Sequence, residues 1–245
     1  ASAGERQADR PRVREEPGAV APLRISPNHQ GPALYTIGIV AHESRIDQAK
    51  QLRSTAKAEY LSIDNGHMGC DDNHEHVLRH LSHYPSTWTV VLEDDAIPVA
   101  DFRTQLANAL PLSPSPIVSL YLGRLRPPQH QADIESAVQA ADVEAADWII
   151  STRLYHAVGY AIKTELLPSL FNHLSNWPVD QHISGWAQQR GHTIAYTWPS
   201  LVDHADEATI VAHPDGQPRT PGRVAWKTGA KTQWTSQYVT LQPKG

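Results

Sequence analysis

Along the first half of the chain, apolar and polar positions switch between a strand rhythm and a helix rhythm. Leu34-Tyr35-Thr36-Ile37-Gly38-Ile39-Val40 is a β-branched and aromatic run short enough for an interior strand. Helical text follows from Ser44 to Lys57, then a short strand from Glu59 to Ile63, a turn from Gly66 to Gly69 and a helix from about Asp71 to Leu81. A second apolar strand, Val90-Val91-Leu92, runs straight into Glu93-Asp94-Asp95. A helix near Asp101 to Leu110, a strand at Ile117 to Leu122 and a Pro-rich excursion at Pro127-Pro128 come next. Farther on, His156 to Ile162 reads as a small-residue strand, Thr164 to Leu174 as helical, and a helix begins at Trp177-Pro178-Val179-Asp180. Such alternation predicts an α/β layer architecture.

The two ends break this pattern. Residues Ala1 to Pro32 mix Arg, Glu, Pro and Gly without hydrophobic periodicity, so residues 1–33 are expected to form a disordered leader. From Ala205 onward, Pro214, Gly216, Pro218, Pro221 and Gly222 interrupt regular elements, while Arg219, Arg223, Lys227 and Lys231 are spaced among Trp226 and Trp234. Residues 212–245 are expected to be a basic lid that closes over phosphates or contacts a polyanionic acceptor; an arm packed down by its tryptophans is the alternative. One domain over residues 34–211 lies between.

The acids after Leu92 carry the most chemistry. A buried strand cannot take three charges with it, so Glu93, Asp94 and Asp95 must emerge at its carboxyl edge, where open α/β sheets place their ligands. Clustered carboxylates repel unless a cation neutralises them, and a hard divalent ion carrying phosphates is a common answer. Asp-Asp pairs also cap helices or sit solvated in turns.

Histidines raise a second possibility. His76, His80 and His83 recur at spacings of four and three, which places imidazoles on one side of a helix and invites a zinc hypothesis. The order Glu75-His76 is not that of a His-Glu-x-x-His protease, and Val77, Leu78 and Leu81 mark the buried face, so these three histidines read as rim residues. His74, one turn before Val77 and Leu78, points inward. Ser44 makes a sensible N-cap after the first strand, where the backbone N–H groups of a first turn favour an anion; Arg45 reads equally as an anion ligand or a solvated helix residue.

Taken in order, Ala41-His42-Glu43-Ser44-Arg45, Gly69-Cys70-Asp71-Asp72-Asn73-His74, Glu93-Asp94-Asp95, Pro178-Val179-Asp180 and Pro199-Ser200-Leu201-Val202-Asp203-His204 resemble the sugar-nucleotide-dependent glycosyltransferases of the GT-A type, and most closely glycosyltransferase family 25. The resemblance covers roughly Leu34 to Val211 and implies one Rossmann-like domain with a mixed central sheet. It implies that the loop at His42, Ser44 and Arg45 holds the nucleotide base and ribose of a nucleotide-diphosphate sugar. Asn73 stands where that family usually has Ser, beside His74. Glu93 and Asp94 are implied to serve the donor, and Asp95 with His204 to ligate Mn²⁺ or Mg²⁺. Gly159 falls in the segment that floors the sugar pocket, with strand packing as the plain alternative. Asp180 corresponds to an acid beside the transferred sugar and is the candidate general base, with helix capping as its plain reading. The implied reaction is transfer to a hydroxyl on a saccharide, a protein or a hydroxylated nucleobase, with inversion if Asp180 is the base. A metal-dependent phosphoesterase or nuclease, and a non-catalytic nucleotide-sugar-binding module, are the rival readings.

Composition narrows the field modestly. A chain of 245 residues, 40% hydrophobic, can bury one sizeable core, and a net charge of −5 gives no general reason to expect a nucleic-acid binder. Cys70 is the only cysteine, which excludes an intramolecular disulfide and a multi-cysteine zinc site. No apolar run approaches the roughly 20 residues of a membrane span, and a cytoplasmic protein is expected.

Overall fold

The computed structural model describes residues 33–173, 177–206 and 222–242. The expected leader lies outside these residues except for Ala33, and so do Pro214, Gly216, Pro218, Arg219 and Pro221 of the expected lid. Strand β1 (Ala33–His42) leads through a 3-10 turn (Glu43–Arg45) into α1 (Ile46–Ala56), followed by β2 (Tyr60–Asp64), α2 (Cys70–Leu81) and β3 (Ser86–Glu93). Then come β4 (Ala96–Pro98), α3 (Phe102–Ala109), β5 (Ile117–Ser119), α4 (Gln131–Val143), β6 (Trp148–Ser151) and β7 (Gly159–Lys163). Helices α5 (Leu167–Phe171) and α6 (Val179–Gln189) precede β8 (Ile194–Thr197), β9 (Val202–His204) and β10 (Tyr238–Thr240).

Eight strands form one mixed sheet in the order β10-β6-β8-β5-β7-β3-β1-β2. The β2, β1 and β3 strands run parallel, and β7 is antiparallel to both of its neighbours, β3 and β5. The expected α/β class with a mixed central sheet is therefore what the chain adopts. Side-chain alternation explains why both sheet faces are covered. Along β3, Val90 and Leu92 point into a cluster with Ile37, Ile39, Leu52 of α1 and Leu106 of α3, while Val91 points into the opposite cluster with Val77, Leu81 and Ile149. Helices α2, α4, α5 and α6 supply the second cluster. A strand buried on both faces has no polar side to show, which is why β3 reads as a continuous apolar run until its acids.

Two local features place α2 against the end of β1. Gly38 leaves room for it: a Cβ there would lie 2.5 Å from Val77 Cγ1 and 2.8 Å from Leu81 Cδ1. Before α2, Asp64 accepts backbone N–H bonds from Gly66, His67, Met68 and Gly69 at 2.8–3.0 Å, which holds the connecting loop closed. Those four donors also hold the Asp64 carboxyl below the usual carboxylate range, the Met68 amide contributing most.

The C-terminal segment is docked over its described part. Strand β10 extends the main sheet alongside β6, and Trp234 is buried against Trp148. Arg223 pairs with Asp206, Lys227 with Asp142 and Lys231 with Asp147, so these cations serve the domain itself. Over residues 222–242 the chain is therefore packed on the domain, with Trp234 as its buried anchor. The physical reason is the edge of β6, whose unpaired backbone groups are satisfied by β10.

Candidate functional site

The acids do end a strand: β3 stops at Glu93, and Asp94 and Asp95 occupy the tight turn into β4. Strand β4 then pairs with β9 in a two-stranded antiparallel ribbon whose register sets Ala96 opposite His204. Ala205 N–H donates to the Asp95 carbonyl at 2.9 Å, continuing that pairing by one step. The ribbon is what brings two residues remote in sequence together, and His204 Nε2 lies 3.4 Å from Asp95 Oδ2.

Arg45 faces the same acids. Its Nη1 is 3.0 Å from Asp94 Oδ1 and 2.7 Å from Asp95 Oδ2. Desolvation works against the guanidinium charge, but the two carboxylates outweigh it and hold the Arg45 pKa above its ordinary value. Asp94 is pushed up, first by desolvation, although the His42 amide at 2.9 Å and Arg45 both favour its ionised form. Arg45 is thus an ion-paired side chain with 11% of its surface exposed. Ser44 does not cap α1 by its side chain; instead the His42 imidazole accepts from Ser44 N–H at 3.2 Å and pairs with Ser44 Oγ at 2.8 Å. The reason is a 3-10 turn that delays α1 to Ile46, moving the helix start past Ser44.

On the other side of Glu93 lies a buried relay. His74, fully buried, reaches Glu93 Oε1 through Nε2 at 3.2 Å and Tyr160 Oη through Nδ1 at 3.1 Å. Asn73, equally buried, donates from Nδ2 to the Ala41 carbonyl at 3.1 Å, tying α2 to the end of β1. Its Oδ1 and the Oδ1 of Asp95 are both buried without a hydrogen-bond partner. Buried unpartnered oxygens are uncommon and cost about 1–3 kcal/mol each when nothing satisfies them.

That observation tests the metal implied by the resemblance. The orphaned carboxylate oxygen of Asp95, with an imidazole 3.4 Å from its other oxygen, fits a hard divalent cation. His204 fits on one condition. Its Nδ1 accepts from Asp206 N–H at 2.8 Å, which puts the ring proton on Nε2; ligation through Nε2 requires that amide to let go.

No protein-family model and no curated protein sequence matches the chain. Among solved structures, A197 from STIV has a TM-score of 0.47 at 12% identity, with 80% of this chain and 96% of that one covered. A Drosophila β1,4-galactosyltransferase 7 variant, crystallised with manganese, UDP-Gal and xylobiose, has a TM-score of 0.41 at 9% identity over 70% of this chain and 71% of its own. Function must therefore come from this chain's own residues.

Asp180 occupies the first turn of α6. Desolvation, then the carboxylates of Glu93 and Asp71, push its pKa up to about 6, against a backbone hydrogen bond from Gln181 at 2.7 Å. The start of α6 is fixed by Asp71, whose Oδ1 accepts from Val179 N–H at 2.8 Å and satisfies one of the unpaired amides of that helix end. Gly159 opens β7 among core side chains. A Cβ there would lie 3.2 Å from Leu92 Cδ2 and 3.3 Å from Val202 Cγ2, so the close approach it permits is core packing between β3, β7 and β9.

Among the described residues, His76, His80 and His83 do not assemble a zinc site. His76 Nε2 bonds the Tyr60 hydroxyl at 2.8 Å, and His80 stacks on the Tyr60 ring with centroids 3.7 Å apart. Among the described residues, the group with metal-ligand spacing is instead Cys70, His74 and Glu93. Desolvation, followed by Glu93, Asp71, Asp94 and Asp95, raises the Cys70 thiol above its ordinary range. The contacts made by Asp64, Asp71 and Tyr160 are unevenly visible in the sequence. Asp64-Asn65-Gly66 does carry an Asx-turn signal, whereas the reach of Asp71 to α6 and of Tyr160 to His74 exists only once the sheet is assembled.

Proposed function

We propose that this protein is a metal-dependent glycosyltransferase that moves a sugar from a nucleotide-diphosphate donor to a hydroxyl acceptor. The observation that supports the reading is Asp95, whose buried Oδ1 has no hydrogen-bond partner and whose Oδ2 lies 3.4 Å from His204 Nε2; Asp180, raised to about 6, is the base the reaction calls for. Phosphate departure needs the first and hydroxyl attack needs the second.

Asp95 through Oδ1, and His204 through Nε2 after releasing the Asp206 amide, would hold Mn²⁺ or Mg²⁺. Such a cation, when bound, neutralises charge developing on the leaving diphosphate. Arg45 keeps its contact with Asp94 and steadies the donor side of the loop after β1, where His42 and Ser44 fix one another. Asn73 Oδ1 offers an acceptor to a donor hydroxyl or base N–H. Asp180 holds its Oδ1 on the Gln181 amide and takes the proton of the acceptor hydroxyl. The acceptor oxygen then forms a bond to the anomeric carbon as the bond from that carbon to the diphosphate breaks. Attack from the face opposite the diphosphate inverts the anomeric centre. A saccharide, a protein or a hydroxylated nucleobase supplies the hydroxyl.

The test is release of nucleoside diphosphate from a panel of nucleotide sugars, with and without Mn²⁺. A uridine diphosphate sugar is expected to be consumed only when the metal is present. Phosphodiester cleavage that does not depend on a sugar would establish the phosphoesterase reading, and donor binding without turnover over a broad acceptor panel would establish the binding module.

A further inference from the structure

We infer that Cys70, His74 and Glu93 form a second cation site, distinct in chemistry from Asp95, that takes a thiophilic divalent ion of the Zn²⁺ class. The three ligand atoms all lie within 4.8 Å of one another. Cys70 and His74 stand one helical turn apart at the start of α2, and Glu93 closes β3 opposite them. Bonds of about 2.0–2.3 Å to sulfur, nitrogen and oxygen span that separation with small side-chain rotations.

Three features argue for a built site. First, the ligand set mixes a thiolate, an imidazole and a carboxylate, which selects Zn²⁺ over Mg²⁺ or Mn²⁺. Second, His74 already has the outer partner that metal-bound histidines use: Tyr160 Oη sits 3.1 Å from Nδ1, so a proton on Nδ1 would leave Nε2 free for an ion. Third, His74 and Tyr160 are both fully buried, so the imidazole is fixed before any ion arrives. Three protein ligands leave a fourth position open, as in zinc sites that act on a bound molecule. Binding converts the Cys70 thiol to a metal thiolate and releases its proton to solvent.

This site requires no nucleotide, so its fate and that of the proposed transferase reading are separable. The full-length protein, reduced and stripped of metal, is titrated with Co²⁺ as a spectroscopic stand-in for Zn²⁺ and then with Zn²⁺ in competition. Because Cys70 is the only cysteine, a near-ultraviolet thiolate-to-cobalt absorption band reports on it alone. The band is expected at one equivalent, displaced by Zn²⁺, absent in Cys70→Ser and weakened in Glu93→Gln. Tyr160→Phe, which keeps the ring and removes the outer hydrogen bond, is expected to reduce Zn²⁺ affinity about 10- to 100-fold. Circular dichroism confirms that each variant is folded. A wild-type protein without the band, or Zn²⁺ affinity unchanged in either Cys70→Ser or Glu93→Gln, would overturn the site.

Discussion

Asp95 and Asp180 are both carboxylates, yet their surroundings differ in kind. Asp95 is bracketed by Arg45 at 2.7 Å and the His204 imidazole at 3.4 Å, at the end of a strand ribbon. Asp180 looks towards the carboxylates of Glu93 and Asp71, and its pKa rises to about 6. A carboxylate held between a guanidinium and an imidazole, with one oxygen open, suits a metal ion. An acid among acids in a desolvated place becomes a base matched to neutral pH. On the proposed reading, environment divides the two roles, as it does wherever one active site runs acid and base chemistry together.

The largest effect is expected from removing the cation-facing acid. Asp95→Ala should lower metal-dependent transfer by roughly 10²- to 10³-fold or more, on the scale of losing a main electrostatic stabiliser. The fold should persist, because the side chain sits at a turn and not in either core cluster. Steady-state rates across a Mn²⁺ titration check this.

Next, Asp180→Asn should depress kcat by about 10²- to 10⁴-fold while donor affinity holds. It should also stabilise the protein. A carboxyl raised in the folded state binds its proton more tightly there than in the unfolded chain, so stability from this group falls as pH rises from about 4 through about 6. At neutral pH the neutral amide avoids that cost, which amounts to about 1–3 kcal/mol for a shift of this size. A less active, more stable variant is the signature of a base; a helix cap predicts little change in either. Urea unfolding at pH 5 and pH 8 makes the comparison.

The same pKa fixes a pH profile. With Asp180 as base, kcat/KM should fall tenfold per pH unit below about 6. In Asp180→Asn that limb should vanish from the residual activity.

A smaller effect is expected at Asp71. Asp71→Ala frees the Val179 amide at the start of α6, at a cost of about 1 kcal/mol, and loosens the Asp180 end of the comparison while leaving the Asp95 end alone. A reduced kcat with an unchanged metal titration would show that the two ends are separately built.

These two ends were not equally legible in the sequence. Up to Glu93, β1, α1, β2, α2 and β3 all fall close to where the apolar rhythm puts them, because each buries a regular face. The acids mark the end of the strand by interrupting an apolar run, although Asp94 is buried and Asp95 nearly so. His204 was readable only through the resemblance, since it depends on the β4–β9 register, and Pro98 reads as a loop although it pairs with Val202. Strands β6, β8 and β10 carry four, four and three residues, too few to show a period, and the docking of β10 rests on the distant edge of β6. The raised pKa of Asp180 arises from Glu93 and Asp71, one on β3 and one on α2, and no local pattern contains it.

The most direct test of the division between the two acids is donor-product binding in the absence of turnover. Calorimetric titration of uridine diphosphate, with and without Mn²⁺, should be run on the wild type, Asp95→Asn and Asp180→Asn. Binding is expected to require Mn²⁺ in the wild type, to be unaltered in Asp180→Asn and to lose its metal dependence in Asp95→Asn. Equal, metal-independent binding by all three proteins would contradict the assignment of Asp95 to the cation and of Asp180 to the acceptor.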